Sequence, residues 1–164
     1  MITKTAYRTI LAFAASACLF ACKPNNGLSD VDKTAIRQAV QKLADSTIRK
    51  LSAKGPAAWL NYFENSPDFF MASDGAIAFP NYKTAETFVD GTLTKQFKSI
   101  HLKFNDIRIT PLSAQYATIG ASFHEDLIDL SGKSMPFDGY FTATAHQTAN
   151  GWKYLNMHWS VKKK

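Results

Sequence analysis

The chain changes its hydrophobic period partway along its length. From Ser29, buried-type positions recur at Ile36, Val40, Leu43, Thr47 and Leu51, with Lys33, Arg37, Lys42, Asp45 and Lys50 between them. That is one stripe of an amphipathic helix. Ser29 can cap it, with Asp32 in a shortened capping box, and Lys54-Gly55 ends it. Pro56 suits the first turn of a second, short helix, Pro56 to Phe63, because its missing N–H has no intrahelical partner there in any case. Asn65-Ser66-Pro67 stops that helix. Residues 68–79 (DFFMASDGAIAF) predict a hairpin turning at Ser73-Asp74-Gly75. Thr84 is expected to cap a third helix, buried through Ala85, Phe88, Val89 and Leu93 and weakened by Gly91.

From residue 99 the period becomes two. Ile100, Leu102 and Phe104 share one face of a strand, whereas Ile107 and Ile109 have the opposite parity. An extra residue at Asn105-Asp106, a β-bulge, reconciles them and bends the sheet. A second strand spans residues 114–130, and Ser131-Gly132-Lys133 turns the chain into a final hairpin. Helices and one hairpin first, then long consecutive strands, is an α+β order rather than an alternating βαβ one.

The final hairpin, residues 137–161, turns at Asn150-Gly151. With a short turn at Thr148–Gly151 or Asn150–Gly151, one face collects Gly139, Phe141, Ala143 and Ala145 with Trp152, Tyr154, Asn156, His158 and Ser160. The other face collects Tyr140, Thr142, Thr144 and His146 with Lys153, Leu155, Met157 and Trp159. The first set, small residues facing large polar-tipped ones, suits the inside of a concave sheet. His158 is then an interior side chain beside Phe141, Tyr154 and Asn156. Such a histidine can move protons or orient a ligand; a core histidine satisfied by a neighbouring backbone or hydroxyl group is the plainer reading.

The stretch GYFTATAHQTANGWKYLNMHWS resembles the C-terminal signature of the nuclear-transport-factor-2-like superfamily, its SnoaL-like branch in particular, through Gly139, Thr142, Gly151-Trp152, His158 and Ser160. The resemblance extends more loosely over residues 29–161. It implies a cystatin-like cone: a bent antiparallel sheet covered by N-terminal helices. It also implies sheet-to-sheet pairing of two copies, but no particular activity, because that superfamily holds isomerases, dehydratases, cyclases and binding domains. Its isomerases use a buried carboxylate and a tyrosine, and no such pair stands out here. Asp74 reads as a turn residue, Asp138 as an outer-face residue, and His124, Glu125 and Asp126 as an exposed strand end rather than a metal site.

The N-terminus adds a location. Lys4 and Arg8 precede an apolar run, residues 10–20, too short to anchor as a helix. The run ends Leu19-Phe20-Ala21-Cys22, which resembles a bacterial lipobox with Cys22 acylated. Residues 1–21 then form a lipoprotein signal peptide, 22–28 a tether, and 29–164 one domain. Losing Lys4 and Arg8 lowers the formal charge from +6 to +4, part of it in Lys162-Lys163-Lys164. Cys18 is lost with the signal peptide, so no thiol pair remains. Lys23 rather than aspartate follows Cys22, which favours the outer membrane of a Gram-negative envelope. No basic stripe points to nucleic acid, no histidine spacing to zinc, and no phosphate loop or nucleophile elbow is present; no cofactor is expected.

Two functions remain open. One is a non-catalytic pocket for a small apolar or aromatic molecule, lined by Tyr62, Phe70, Phe141, Tyr154, Asn156 and His158. The other is an isomerase, dehydratase or cyclase using His158 as general base, with Tyr154 or Tyr62 assisting. A homodimer is expected through the face carrying Leu155, Met157 and Trp159, an apolar row that water should not see. The location is tested by Cys22→Ser, which should move the protein from the detergent to the aqueous phase on partitioning. A variant that partitions as the parent does would remove the lipid anchor.

Overall fold

The computed structural model describes residues 27–163. The signal peptide, Cys22 and most of the tether lie outside the described residues. Helix α1 (Asp30–Lys54) opens on Ser29, whose hydroxyl accepts from the Asp32 N–H, and buries Ile36, Val40, Leu43, Thr47 and Leu51. Buried Thr47 donates its hydroxyl to the Leu43 carbonyl at 2.9 Å, so the one polar member of the stripe is satisfied within the helix. Gly55, at φ 74°, ends α1 and leads into a 3₁₀ turn, Pro56–Asn61, shorter than the expected second helix. A hairpin follows, β1 (Phe70–Ser73) and β2 (Ala76–Phe79). Its turn residues Asp74 and Gly75 both have positive φ, as a two-residue hairpin turn requires.

Helix α2 (Tyr82–Phe88) is capped by Asn81 rather than Thr84: the Asn81 carboxamide accepts from the Thr84 N–H at 2.9 Å. Asn81 is extended and Thr84 already helical, which is the division of labour at a helix start. The helix widens into a π turn at Val89–Leu93, where Gly91 weakens it, and runs out through Thr94–Gln96. Among the described residues no helix is long and apolar enough to cross a membrane.

Four long strands follow: β3 (Phe97–Pro111), β4 (Tyr116–Asp129), β5 (Ser134–Thr148) and β6 (Gly151–Val161). They form one six-stranded sheet in the order β2-β1-β6-β5-β4-β3. All neighbours are antiparallel except β1 and β6, which run parallel, with Met71 opposite Met157 and Ser73 opposite Trp159. The architecture is the expected α+β one, a curved sheet with α1 across its concave side. In β3 the register shifts between Asn105 and Arg108, and Asp106 has φ 51°; this is the bulge that the phase change in the sequence requires.

A second bulge was not expected. In the final hairpin, Thr148 pairs with Gly151 and Ala145 with Tyr154, but Thr144 pairs with Asn156. Leu155 is the extra residue. Past it the faces exchange, so Met157 and Trp159 turn inward and are buried, while His158 is exposed. The expectation that His158 lies inside the cone and that Leu155, Met157 and Trp159 form an outer apolar row is therefore corrected. The row on which pairing of two copies rested is divided, with its two largest members in the core.

Trp159 is the centre of that core. Its ring lies 4.6 Å from Phe123, 4.8 Å from Phe141, 5.7 Å from Trp59 and 6.1 Å from Phe104, centroid to centroid. These are tilted or edge-to-face contacts of the favourable kind. Gly139 is required nearby: a Cβ there would lie 2.6 Å from the Phe123 ring. Trp159→Ala should cost about 3–5 kcal/mol, whereas His158→Ala should cost less than about 0.5 kcal/mol, both read by urea denaturation. Equal, small costs would return Trp159 to the surface.

Candidate functional site

The bends in the sheet leave a cavity of about 200 Å³ between its concave face and the shorter elements. The 3₁₀ turn and the residues after it supply Trp59 and Phe63, stacked with centroids 5.6 Å apart. The β1–β2 hairpin supplies Met71, Ser73 and Phe79. The α2 segment and its π turn supply Phe88, Val89 and Leu93, with Phe88 against Phe79 at 5.2 Å. The sheet closes the far side with Ile100, Phe123, Leu127 and Trp159. Phe88 and Val161, both partly exposed, stand at the mouth.

One charged side chain, Glu125, faces this cavity. It lies on β4 at the same parity as Ile119, Ala121 and Phe123, which are all buried, and sits opposite Leu102 of β3 and Phe137 of β5. Burial among these apolar groups pushes its carboxyl up to about 7, from an ordinary value of 4.5. No hydrogen bond or neighbouring charge contributes to that shift. The other polar lining side chain, Ser73, donates its hydroxyl to Asp74 at 3.1 Å. Asp74 is itself a brace, accepting from the Val161 N–H at 2.9 Å and so tying the hairpin turn to the end of β6.

None of the six residues expected to line the pocket lies in this cavity. Phe141 and Tyr154 are fully buried in the core. The Tyr154 hydroxyl has no hydrogen-bond partner, and burial pushes its pKa well up. Tyr62 donates its hydroxyl to the Ser46 carbonyl at 2.8 Å, locking α1 to the turn that follows it. Phe70, Asn156 and His158 lie in a wider, shallow groove on the opposite face, with Arg108 and a row of threonines. His158 and Tyr154, paired as base and assistant on the enzyme reading, are thus on opposite faces of β6. For Asn156 and His158 the cause is the extra residue at Leu155, which turns everything beyond it in β6 to the other face.

Glu125 was the residue to find. Its strand neighbours Phe123 and Leu127 share its parity, so an inward carboxylate was legible once the inward face was known. The flanking acids and histidine concealed it. His124 faces outward, with Nδ1 2.8 Å from Asp138 and Nε2 3.3 Å from Asp126. The hydrogen bond to Asp138 raises its pKa, and Asp126 adds to the effect. A second outer pair, His146 Nδ1 to Glu64 at 2.8 Å, lies under the Tyr116 ring, which stacks on the imidazole at 4.4 Å. Among the described residues no group of three or more histidines, cysteines or acids could hold a metal ion.

The fold is that of the nuclear-transport-factor-2-like and cystatin-like cone proteins. No protein-family model matches the sequence, and no curated protein does. Solved structures do match. A nuclear transport factor 2-like superfamily protein from Salmonella enterica superimposes with a TM-score of 0.67 at 17% identity, covering 80% of this chain and 94% of its own. A scytalone dehydratase homologue from Novosphingobium aromaticivorans gives a TM-score of 0.67 at 12% identity, over 79% of this chain and 86% of that one. Hexachlorocyclohexane dehydrochlorinase LinA-type3 from Novosphingobium barchaimii gives 0.64 at 14% identity, over 82% and 92%. At these identities the likeness is one of fold.

The Glu125 environment makes stability depend on pH. Between pH 4.5 and about 7 the folded chain holds a proton that the unfolded chain has released. Stability therefore falls as pH rises through that window, by at most about 3 kcal/mol. Glu125→Gln removes the effect. The melting temperature of the variant should exceed that of the parent by more at pH 8 than at pH 5, with a difference on the order of 10 °C. Parallel pH curves would place the carboxyl in water.

Proposed function

We propose that this chain is a small-molecule-binding domain of the bacterial cell envelope, held by lipid at Cys22 to the outer membrane. Its ligand occupies the cavity on the concave face of the sheet, bounded by the β1–β2 hairpin, the 3₁₀ turn and α2, with Glu125 as the polar contact. The observation that carries the reading is the lining: aromatic and aliphatic side chains around one half-buried carboxyl that has no hydrogen-bond partner among the described residues. A cavity of about 200 Å³ accommodates a single ring, given that an apolar cavity of about 150 Å³ can hold benzene. Binding is favoured over catalysis because the lining offers no second titratable group to work with Glu125.

A second reading is an isomerase, dehydratase or cyclase type of proton transfer with Glu125, not His158, as the base. It is supported by a carboxyl whose pKa of about 7 matches the pH at which a general base is most effective. The dehydratase and dehydrochlorinase names among proteins of similar fold agree with it.

The binding reading is tested with benzyl alcohol as a neutral single-ring probe, by ligand-observed NMR. Binding should occur with a Kd on the order of micromolar to millimolar, as expected for a ligand of so few atoms. Leu93→Trp, which fills the cavity, should abolish it while leaving the circular dichroism spectrum intact. Unchanged binding in that folded variant, or none in the parent, would sink the reading.

A further inference from the structure

We infer that the ligand of the inner cavity is a protonated amine, a compact benzylic or aliphatic ammonium compound. The inference deepens the binding reading of the same cavity and rests on it. Its ground is the pairing of one carboxylate with an aromatic enclosure and with no cation.

Six aromatic side chains line the cavity: Trp59, Phe63, Phe79, Phe88, Phe123 and Trp159. They do not lie in one plane. Trp59 and Trp159 meet at 89°, Phe123 meets Trp159 at 66°, and Phe79 with Phe88 forms a separate pair contributed by the hairpin and α2. Rings set at steep angles offer an enclosed group π-faces from more than one direction. That arrangement attracts an ammonium through the ring quadrupoles and gives no comparable advantage to an anion.

Glu125 sharpens the choice of charge. Among the described residues no lysine, arginine or histidine lines the cavity. The strands packed against β4 place Leu102 and Phe137 beside Glu125, and its own strand places Phe123 and Leu127 on the same side. An ionised carboxylate alone in such surroundings is costly. An anionic ligand would add repulsion to that cost. A neutral ligand would leave Glu125 to take up a proton. A cationic ligand is the one class that keeps the carboxylate ionised and pairs it, adding a charge-assisted hydrogen bond where the protein supplies none. The cavity volume then limits the apolar part to about one ring or a short branched chain.

The test compares benzylammonium with benzyl alcohol, probes of nearly the same shape, by calorimetric titration of the folded protein at pH 8 and pH 5.5. Benzylammonium carries its charge at both values, so the change reports on the protein. At pH 8 the amine should bind at least about tenfold more tightly than the alcohol, in line with a charge-assisted contact. The preference should shrink at pH 5.5, and it should be absent when the two probes are compared in Glu125→Gln at pH 8. Equal affinities at pH 8, or a preference for the alcohol, would overturn the amine inference and leave the binding reading standing. An amine preference that survives in Glu125→Gln would also overturn it, because the attraction would then lie elsewhere. Binding of neither probe would remove the binding reading and the inference together.

Discussion

One inserted residue in β6 decides what this domain can be. Without Leu155 as a bulge, strict alternation from Tyr154 would carry Met157 and Trp159 to the outside of the sheet and His158 and Ser160 to the inside. The bulge reverses that. It delivers the largest aromatic of the strand to the point where rings from the 3₁₀ turn, β3, β4 and β5 converge. The bulge in β3, at Asn105-Asp106, does the same for its own strand, taking Ile107 and Ile109 onto the parity their burial needs. Both devices add local twist and bend the sheet, and the cavity lies on its concave face, where the hairpin at one edge and α2 complete the lining.

Within that cavity the domain accepts a local disadvantage. An apolar residue in place of Glu125 would suit the lining better, because a buried, unpaired carboxyl favours neither folding nor tight packing. The rest of the interior is not built so. Thr47 is satisfied within its helix, and Tyr62 is satisfied across to α1. Among the described residues the Ser66 and Tyr154 hydroxyls are also without a partner, but neither residue lines the cavity. Among the described residues Glu125 combines a carboxyl without a hydrogen-bond partner and a place on the cavity wall, which is why the proposed function is built on it.

How much of this was legible in the chain depends on whether a residue's signal was local. The stripe of α1 is a strong 3.6-residue pattern and held at every position. The β3 bulge showed because Phe104 and Ile107 cannot share a face without it. The same kind of phase change stands in β6, where Trp152 and Tyr154 are followed by Met157 and Trp159. It was masked because Leu155 is also apolar, and Leu155, Met157 and Trp159 mimic an unbroken strand. The turn at Asn150-Gly151 correctly set the first four pairs, and that correct start carried the error forward through the rest of the hairpin. Asn156 and His158 were misplaced by this one slip. Glu125 escaped for another reason: three consecutive ionisable residues read as a solvated segment, although alternation had already set Glu125 against its neighbours.

One edge of the cavity hangs from little. The β1–β2 hairpin, which contributes Met71, Ser73 and Phe79, consists of two four-residue strands at the edge of the sheet, joined to β6 by one short parallel ladder and by Asp74, whose N–H donates to the Trp159 carbonyl and whose carboxylate accepts from the Val161 N–H. The aromatic hub around Trp159 belongs instead to the long strands. The two parts of the cavity therefore differ in cooperativity: the hairpin can detach as a small unit at a fraction of the cost of unfolding the cone. Opening of the cavity at that edge is then set by the weakest ladder of the sheet, so access to the cavity and global stability can change independently of one another.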